Sequence, residues 1–89
     1  MALAPRGRQV VRVDPRDNVV TLVDARVDVD RLEDGGPVAI GIPYGHKVAT
    51  RAIGAGEAVV KYGVAIGRAS GDIASGAHVH VHNVDEPDR

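Results

Sequence analysis

His78-Val79-His80-Val81-His82-Asn83 alternates imidazole with β-branched side chains. On a β-strand this period of two sends the three imidazoles to one face and Val79 and Val81 to the other. Neutral imidazoles near pH 7 can ligate a metal, or take and give a proton. Residues two apart on a strand lie roughly 6.5–7 Å apart, so His78 with His80, or His80 with His82, can reach one ion. His78 and His82 would stand roughly 13 Å apart, too far for all three to share it readily. The rest of a coordination shell must come from elsewhere. The chain has no cysteine, and its carboxylates lie mainly in the first half and the tail. The strip therefore predicts at most half of a metal site, from His78 with His80 or His80 with His82, completed at a subunit junction. The competing reading is a half-exposed row of histidines that serves only solubility.

Two further segments carry chemistry. Gly41-Ile42-Pro43-Tyr44-Gly45-His46-Lys47 places an imidazole and an ammonium after a glycine-flanked turn. That pair suits a carboxylate, sulfonate or phosphate on a small substrate. Lys61-Tyr62-Gly63 offers a cation, a hydroxyl and a flexible glycine after a strand. Tyr44 and Tyr62 are the chain's aromatics, so packing of the Tyr62 ring competes with a binding role. Lys47 and Lys61 are also the two lysines in a chain with nine arginines.

Other patterns carry less. The glycines at 54, 56 and 63 lack the strand–GxGxxG–helix setting of a phosphate fingerprint. Ser70 and Ser75 near histidines do not define a nucleophile without geometry. Asp14 and Asp17, like Asp28 and Asp30, read as turn and edge-strand solubility residues.

The elements that must hold these groups are short. Strands are expected over Gln9–Val13, Asn18–Asp24, Ala58–Tyr62, Val64–Ala69 and Ala77–Val84. Turns fall at 14–18, 54–57 and 70–76, the last with room for one helical turn at 72–74. Residues 25–37 read as a polar strand or a connector, and Val38–Ile42 is an apolar run. His46–Ile53 fits either a strand or one or two helical turns. With 11 Gly and 5 Pro punctuating Val-rich segments, the fold class is mostly β with tight turns.

Composition narrows the partners. At 89 residues there is room for one core. A formal net charge of −1 and a pI near 6.4 exclude a basic field for nucleic acid or anionic membrane. Mean hydropathy is −0.08, with no apolar run long enough to span a bilayer and no leader-like h-region, so a cytoplasmic protein is expected. The absence of Phe, Trp and Cys limits what the core contributes and predicts association, with another copy or with a larger subunit.

Together, 41–49 (GIPYGHKVA), 60–67 (VKYGVAIG) and 76–83 (GAHVHVHN), preceded by 17–22 (DNVVTL), resemble the SAF domain of the altronate/galactarate dehydratase family. The resemblance covers roughly residues 9–84, flanked by a flexible start (1–8) and a polar tail (85–89). It implies a compact β-clip, of short irregular strands folded about a pseudo-two-fold. It also implies a small subunit of a hydro-lyase of the sugar-acid dehydratase type, paired with a large subunit that holds the catalytic bulk. A divalent metal such as iron would act in the assembled enzyme. His78, His80 and His82 match the family's histidine strand and stand as catalytic candidates. His46, Lys47, Lys61, Tyr62 and Asn83 stand as substrate-binding ones. A related pair of subunits removes sulfite from sulfolactate by an analogous β-elimination, which is one alternative. A sugar-acid binding module without turnover is another.

Overall fold

A computed structural model describes residues 7–85. Among the described residues there are seven strands and no helix: β1 (Val10–Val11), β2 (Val19–Leu22), β3 (Lys47–Ala49), β4 (Ala58–Lys61), β5 (Val64–Ala69), β6 (His78–Val79) and β7 (Val84–Asp85). They make two antiparallel sheets, one ordered β1-β2-β3-β6 and one ordered β4-β5-β7. The protein is mostly β, as its Val-rich, Gly-punctuated sequence predicts.

Strand alternation explains why β2 and β3 sit at the centre. Val20 and Leu22 of β2 and Val48 of β3 point into one apolar cluster with Leu32, Val38 and Ile42. Val19 and Ala49 point the other way, into a second cluster with Ile53, Val59, Ala69, Ile73 and Val79. Both faces of this sheet are covered, which is why its strands lack polar alternation. Residues 38–42 form no strand, yet Val38 and Ile42 fill the first cluster. Residues 25–37 resolve as a connector whose regular pairing is limited to bridges at Arg31–Pro37 and Leu32–Arg8.

Asn18 joins the two sheets. Its side chain accepts from the Val60 N–H at 2.7 Å and donates to the Ala58 carbonyl at 2.9 Å, while its own N–H donates to the Val60 carbonyl at 3.2 Å. An almost fully buried amide bonded at both its oxygen and its nitrogen covers the edge of β4.

Three expectations change. The segment 46–53 is a strand only over Lys47–Ala49; beyond it Ile53 bridges to Ile73, which replaces the helical turn expected at 72–74. The strand expected over 77–84 is two strands. It leaves the first sheet after Val79, turns through 80–83 and enters the second sheet at Val84. Val79 is therefore wholly buried, whereas Val81 is 81% exposed and does not line the same face. Gly76 leads into β6 at φ +82°, and a Cβ there would lie 2.5 Å from the Pro37 carbonyl oxygen, so glycine is required for both reasons. The start and tail expected to be loose fall mostly on residues 1–6 and 86–89, which lie outside the described residues; Arg8, placed in that start, is wholly buried.

Candidate functional site

The register of β3 against β6 builds the site. Lys47 pairs with Val79 and Val48 with His78, so His46, one step before β3, comes opposite His80, one step after β6. His46 and His78 share the sheet face of Val48, and their rings meet. His46 Nδ1 and His78 Nε2 are 2.8 Å apart, one nitrogen donating and the other accepting. The His46 and His80 rings are stacked with centroids 4.9 Å apart, and His78 and His80 are stacked at 5.5 Å. One ring nitrogen from each of His46, His78 and His80 lies within 4.8 Å of the other two.

His82 also returns to the cluster, its ring 5.4 Å from that of His78. A continuous strand would hold these two residues far apart. The turn at 80–83 folds the second half of the histidine segment back, so all four imidazoles gather in one place.

Three histidines here could hold a metal. A metal–nitrogen bond of about 2.0–2.1 Å puts two imidazoles of one ion about 3 Å apart, close to the His46–His78 spacing. Desolvation, followed by the neighbouring charges of His46, His82, His80 and Lys47, lowers the His78 pKa and favours the neutral form that ligates. An all-imidazole donor set suits zinc, copper, iron or nickel. The donor set thus fits a divalent first-row ion. The sequence placed His78 and His80 as ligands and His46 among substrate contacts. The long-range register that brings His46 to them leaves no local trace.

Beside the histidines lies a cleft of about 220 Å³ lined by Lys47, Ile66, His80, Val81 and Val84. Burial and then the charge of Lys61 push the Lys47 ammonium below the ordinary lysine range. The charge of Lys61 thus acts on Lys47 although the two lie on different sheets. A second hollow, about 150 Å³ beside Ala58, Ala65, Gly67 and Arg68, has no histidine in its lining.

Lys61 and Tyr62 sit at the tip of the β4–β5 hairpin. The Lys61 Nζ lies 4.7 Å above the centre of the Tyr62 ring, a cation–π contact, and the ring is half exposed. Tyr62 has φ 56°, an uncommon conformation for a bulky residue. Asp17 supports it: its Oδ1 accepts the Gly63 N–H at 2.8 Å, and its carboxyl, which burial would raise, is held low by the N–H groups of Gly63 and Tyr62. Gly63 takes φ +74°, which favours glycine, and a Cβ there would push aside the side-chain ends of Arg16 and Asp14, at 2.5 Å from Nη2 and 2.6 Å from Oδ2. Asp14 and Asp17, read in the sequence as solubility residues, make the base of this tip.

Asn83 faces inward to its own turn. Its Oδ1 accepts from the His80 N–H at 3.0 Å and its Nδ2 donates to the His78 carbonyl at 2.8 Å.

The family model of the altronate/galactarate dehydratase SAF domain matches residues 8–87. The chain belongs to this family. As an SAF domain it is 37% identical over 79 residues to an altronate dehydratase of Bacillus subtilis, covering 85% of this chain and 16% of that protein. Against an altronate dehydratase of Escherichia coli it is 40% identical over 78 residues, again 84% of this chain and 16% of the relative. A (2R)-sulfolactate sulfo-lyase subunit alpha of Paracoccus pantotrophus is 55% identical over 42 residues, 47% of this chain and 63% of the subunit. The SAF domain therefore spans about one-sixth of the length of the dehydratases it matches. No helix among its described residues is long and apolar enough to cross a membrane.

Proposed function

We propose that this SAF domain is the small component of a hydro-lyase acting on a hydroxylated carboxylic acid, and that its histidines complete an active site shared with a larger subunit. The observation that carries this reading is the convergence of His46, His78 and His80 beside a cleft lined by Lys47. The names of the relatives supply the reaction class, and their greater length argues for a larger catalytic partner.

Dehydration of such an acid removes a proton from the carbon next to the carboxylate. The electron pair becomes a carbon–carbon double bond and hydroxide departs from the next carbon, leaving as water once protonated. The resulting enol tautomerises to a keto acid. His46, His78 and His80 would hold a divalent ion, iron in our reading. When bound, that ion would supply Lewis acidity toward a hydroxyl oxygen. Lys47 and Lys61 carry the positive charge that draws and orients the carboxylate. His82 stands outside the converging trio and serves as the group that takes or gives the proton at a ring nitrogen. The exposed Val81 at the cleft rim is a contact for the larger subunit.

A second reading is favoured by the identity of 55–56% with two sulfo-lyase alpha subunits. There sulfite leaves in place of hydroxide, and the same cationic cleft would serve a sulfonate.

The test is purification of the tagged full chain from its host with mass spectrometry of whatever accompanies it, followed by assay of the complex. Stoichiometric recovery of a dehydratase-like large subunit, with keto acid formed from a sugar acid, supports the hydro-lyase. Sulfite release from sulfolactate selects the second reading. A chain that purifies alone and binds a sugar acid without turnover overturns both.

A further inference from the structure

We infer that Asn83 is the positioning residue of the histidine site: it folds His80 and His82 back over His78 and so assembles the donor set from a segment whose alternation would otherwise spread it. The inference rests on the proposed metal-binding role for the value of the arrangement, but not for the arrangement itself.

Four hydrogen bonds converge on this one residue. Its Oδ1 accepts the His80 N–H at 3.0 Å, and its Nδ2 donates to the His78 carbonyl at 2.8 Å. Its own N–H donates to the His80 carbonyl at 3.1 Å, closing a turn over 80–83. Its carbonyl accepts the Ser70 N–H at 3.0 Å, which ties the turn to the end of β5.

The side-chain amide is thus used at both ends on the backbones of two histidines that offer ring nitrogens to the same point. A side chain that binds its own local backbone is a known competitor of extended structure. Here it takes up the His80 N–H at the point where β6 stops pairing with β3. Asn does this where an ionised Asp cannot. The site needs an acceptor and a donor on one short planar group, and the carboxamide has both. An amide spent in this way acts on a ligand through the histidines, as groups outside a coordination shell do by fixing ring direction.

The test compares the full-length chain with Asn83→Ala and Asn83→Asp, and with Leu32→Val as a core control. The readouts are ring-proton NOEs among the histidines without metal, and cobalt(II) titration followed by visible absorption. The expected result is loss of the His46–His80 and His78–His82 ring NOEs in Asn83→Ala, with the core NOEs kept. Cobalt affinity should fall by roughly 10–100-fold, the usual effect of removing an outer partner of a metal ligand. Asn83→Asp keeps the acceptor for His80 but not the donor to His78, and should fall between the two; it also decides the matter if Asn83→Ala does not fold. Leu32→Val should leave both readouts unchanged. Ring NOEs that persist in both Asn83 variants, or that are missing from the unmodified chain, overturn the inference. Intact ring NOEs in the unmodified chain without cobalt binding would instead sink the metal reading, and the NOEs of the variants would still decide the role of Asn83.

Discussion

His46 Nδ1 and His78 Nε2 lie 2.8 Å apart although 32 residues separate them in the chain. Their meeting depends on the pairing of Lys47 with Val79 and Val48 with His78. A one-residue slip of that ladder would send His78 to the opposite sheet face. The site is thus a property of strand register before it is a property of any one histidine.

Removing a donor should therefore disable the site without unfolding the chain. His46→Ala and His78→Ala each delete one of three converging nitrogens from a half-buried position. Cobalt(II) affinity should drop by more than the roughly 10–100-fold expected for an outer partner, with the thermal midpoint little changed. Titration of each variant alongside a melting curve checks both parts. Unaltered cobalt affinity in His46→Ala would exclude that residue as a ligand.

The cleft gives a prediction in salt and substrate rather than metal. Lys47→Gln removes a positive charge from the cleft wall while leaving the histidines in place. A charged hydrogen bond of about 1.5–3 kcal/mol corresponds to a rise in KM of roughly 10–100-fold for an anionic substrate. The change should fall mainly on KM in the assembled enzyme, and the salt dependence of KM should weaken. An unchanged KM would remove Lys47 from substrate binding.

Acid should unfold the protein through Asp24. Burial alone would raise this carboxyl, but hydrogen bonds from the Gln9 N–H, Arg8 and Arg26 outweigh it and hold the pKa at about 2. A carboxyl depressed below its unfolded value of about 3.9 contributes stability above that pH, and the contribution is lost as pH falls toward 2. Asp24 also neutralises the wholly buried Arg8, whose Nε lies 2.8 Å from its Oδ1. Asp24→Asn should therefore cost about 3–5 kcal/mol by leaving the guanidinium uncompensated. It should also flatten the fall in stability between about pH 4 and pH 2. Urea denaturation at neutral pH and at pH 3 measures both effects.

The core should be fragile at its largest side chains. Leu22 is wholly buried in a cluster without aromatics, and Leu22→Ala should cost about 2–5 kcal/mol. Val81, 81% exposed, should tolerate Val81→Ala within about 0.5 kcal/mol, while a loss of binding to the larger subunit would reveal its use as a contact. Urea midpoints of the isolated chain separate the two.

Much of the fold was legible from local pattern. Val64–Ala69 was expected as a strand and is one, and Val19–Leu22 lies within its expected span. Period-two alternation and glycine-bearing turns are local properties, so the residues themselves carry them. The histidine segment, the GHK turn and the KYG tip also stood out by residue type alone.

The sequence by itself determined a mostly β chain, the places where it turns, and the side chains with chemistry to offer. Only the tertiary structure decided how those side chains meet. A strand extends no further than the partner it pairs with: β6 finds two residues of β3 to pair with, and β5 then takes Val84 and Asp85. Between these ladders Asn83 closes the turn that gathers the histidines. His46 joins them through a register fixed by burial of Val48 and Val79 on opposite faces of the sheet. Hydrophobic alternation marks which face of a strand is buried, but the choice of partner and register is a long-range balance of packing, and no window of neighbouring residues contains it.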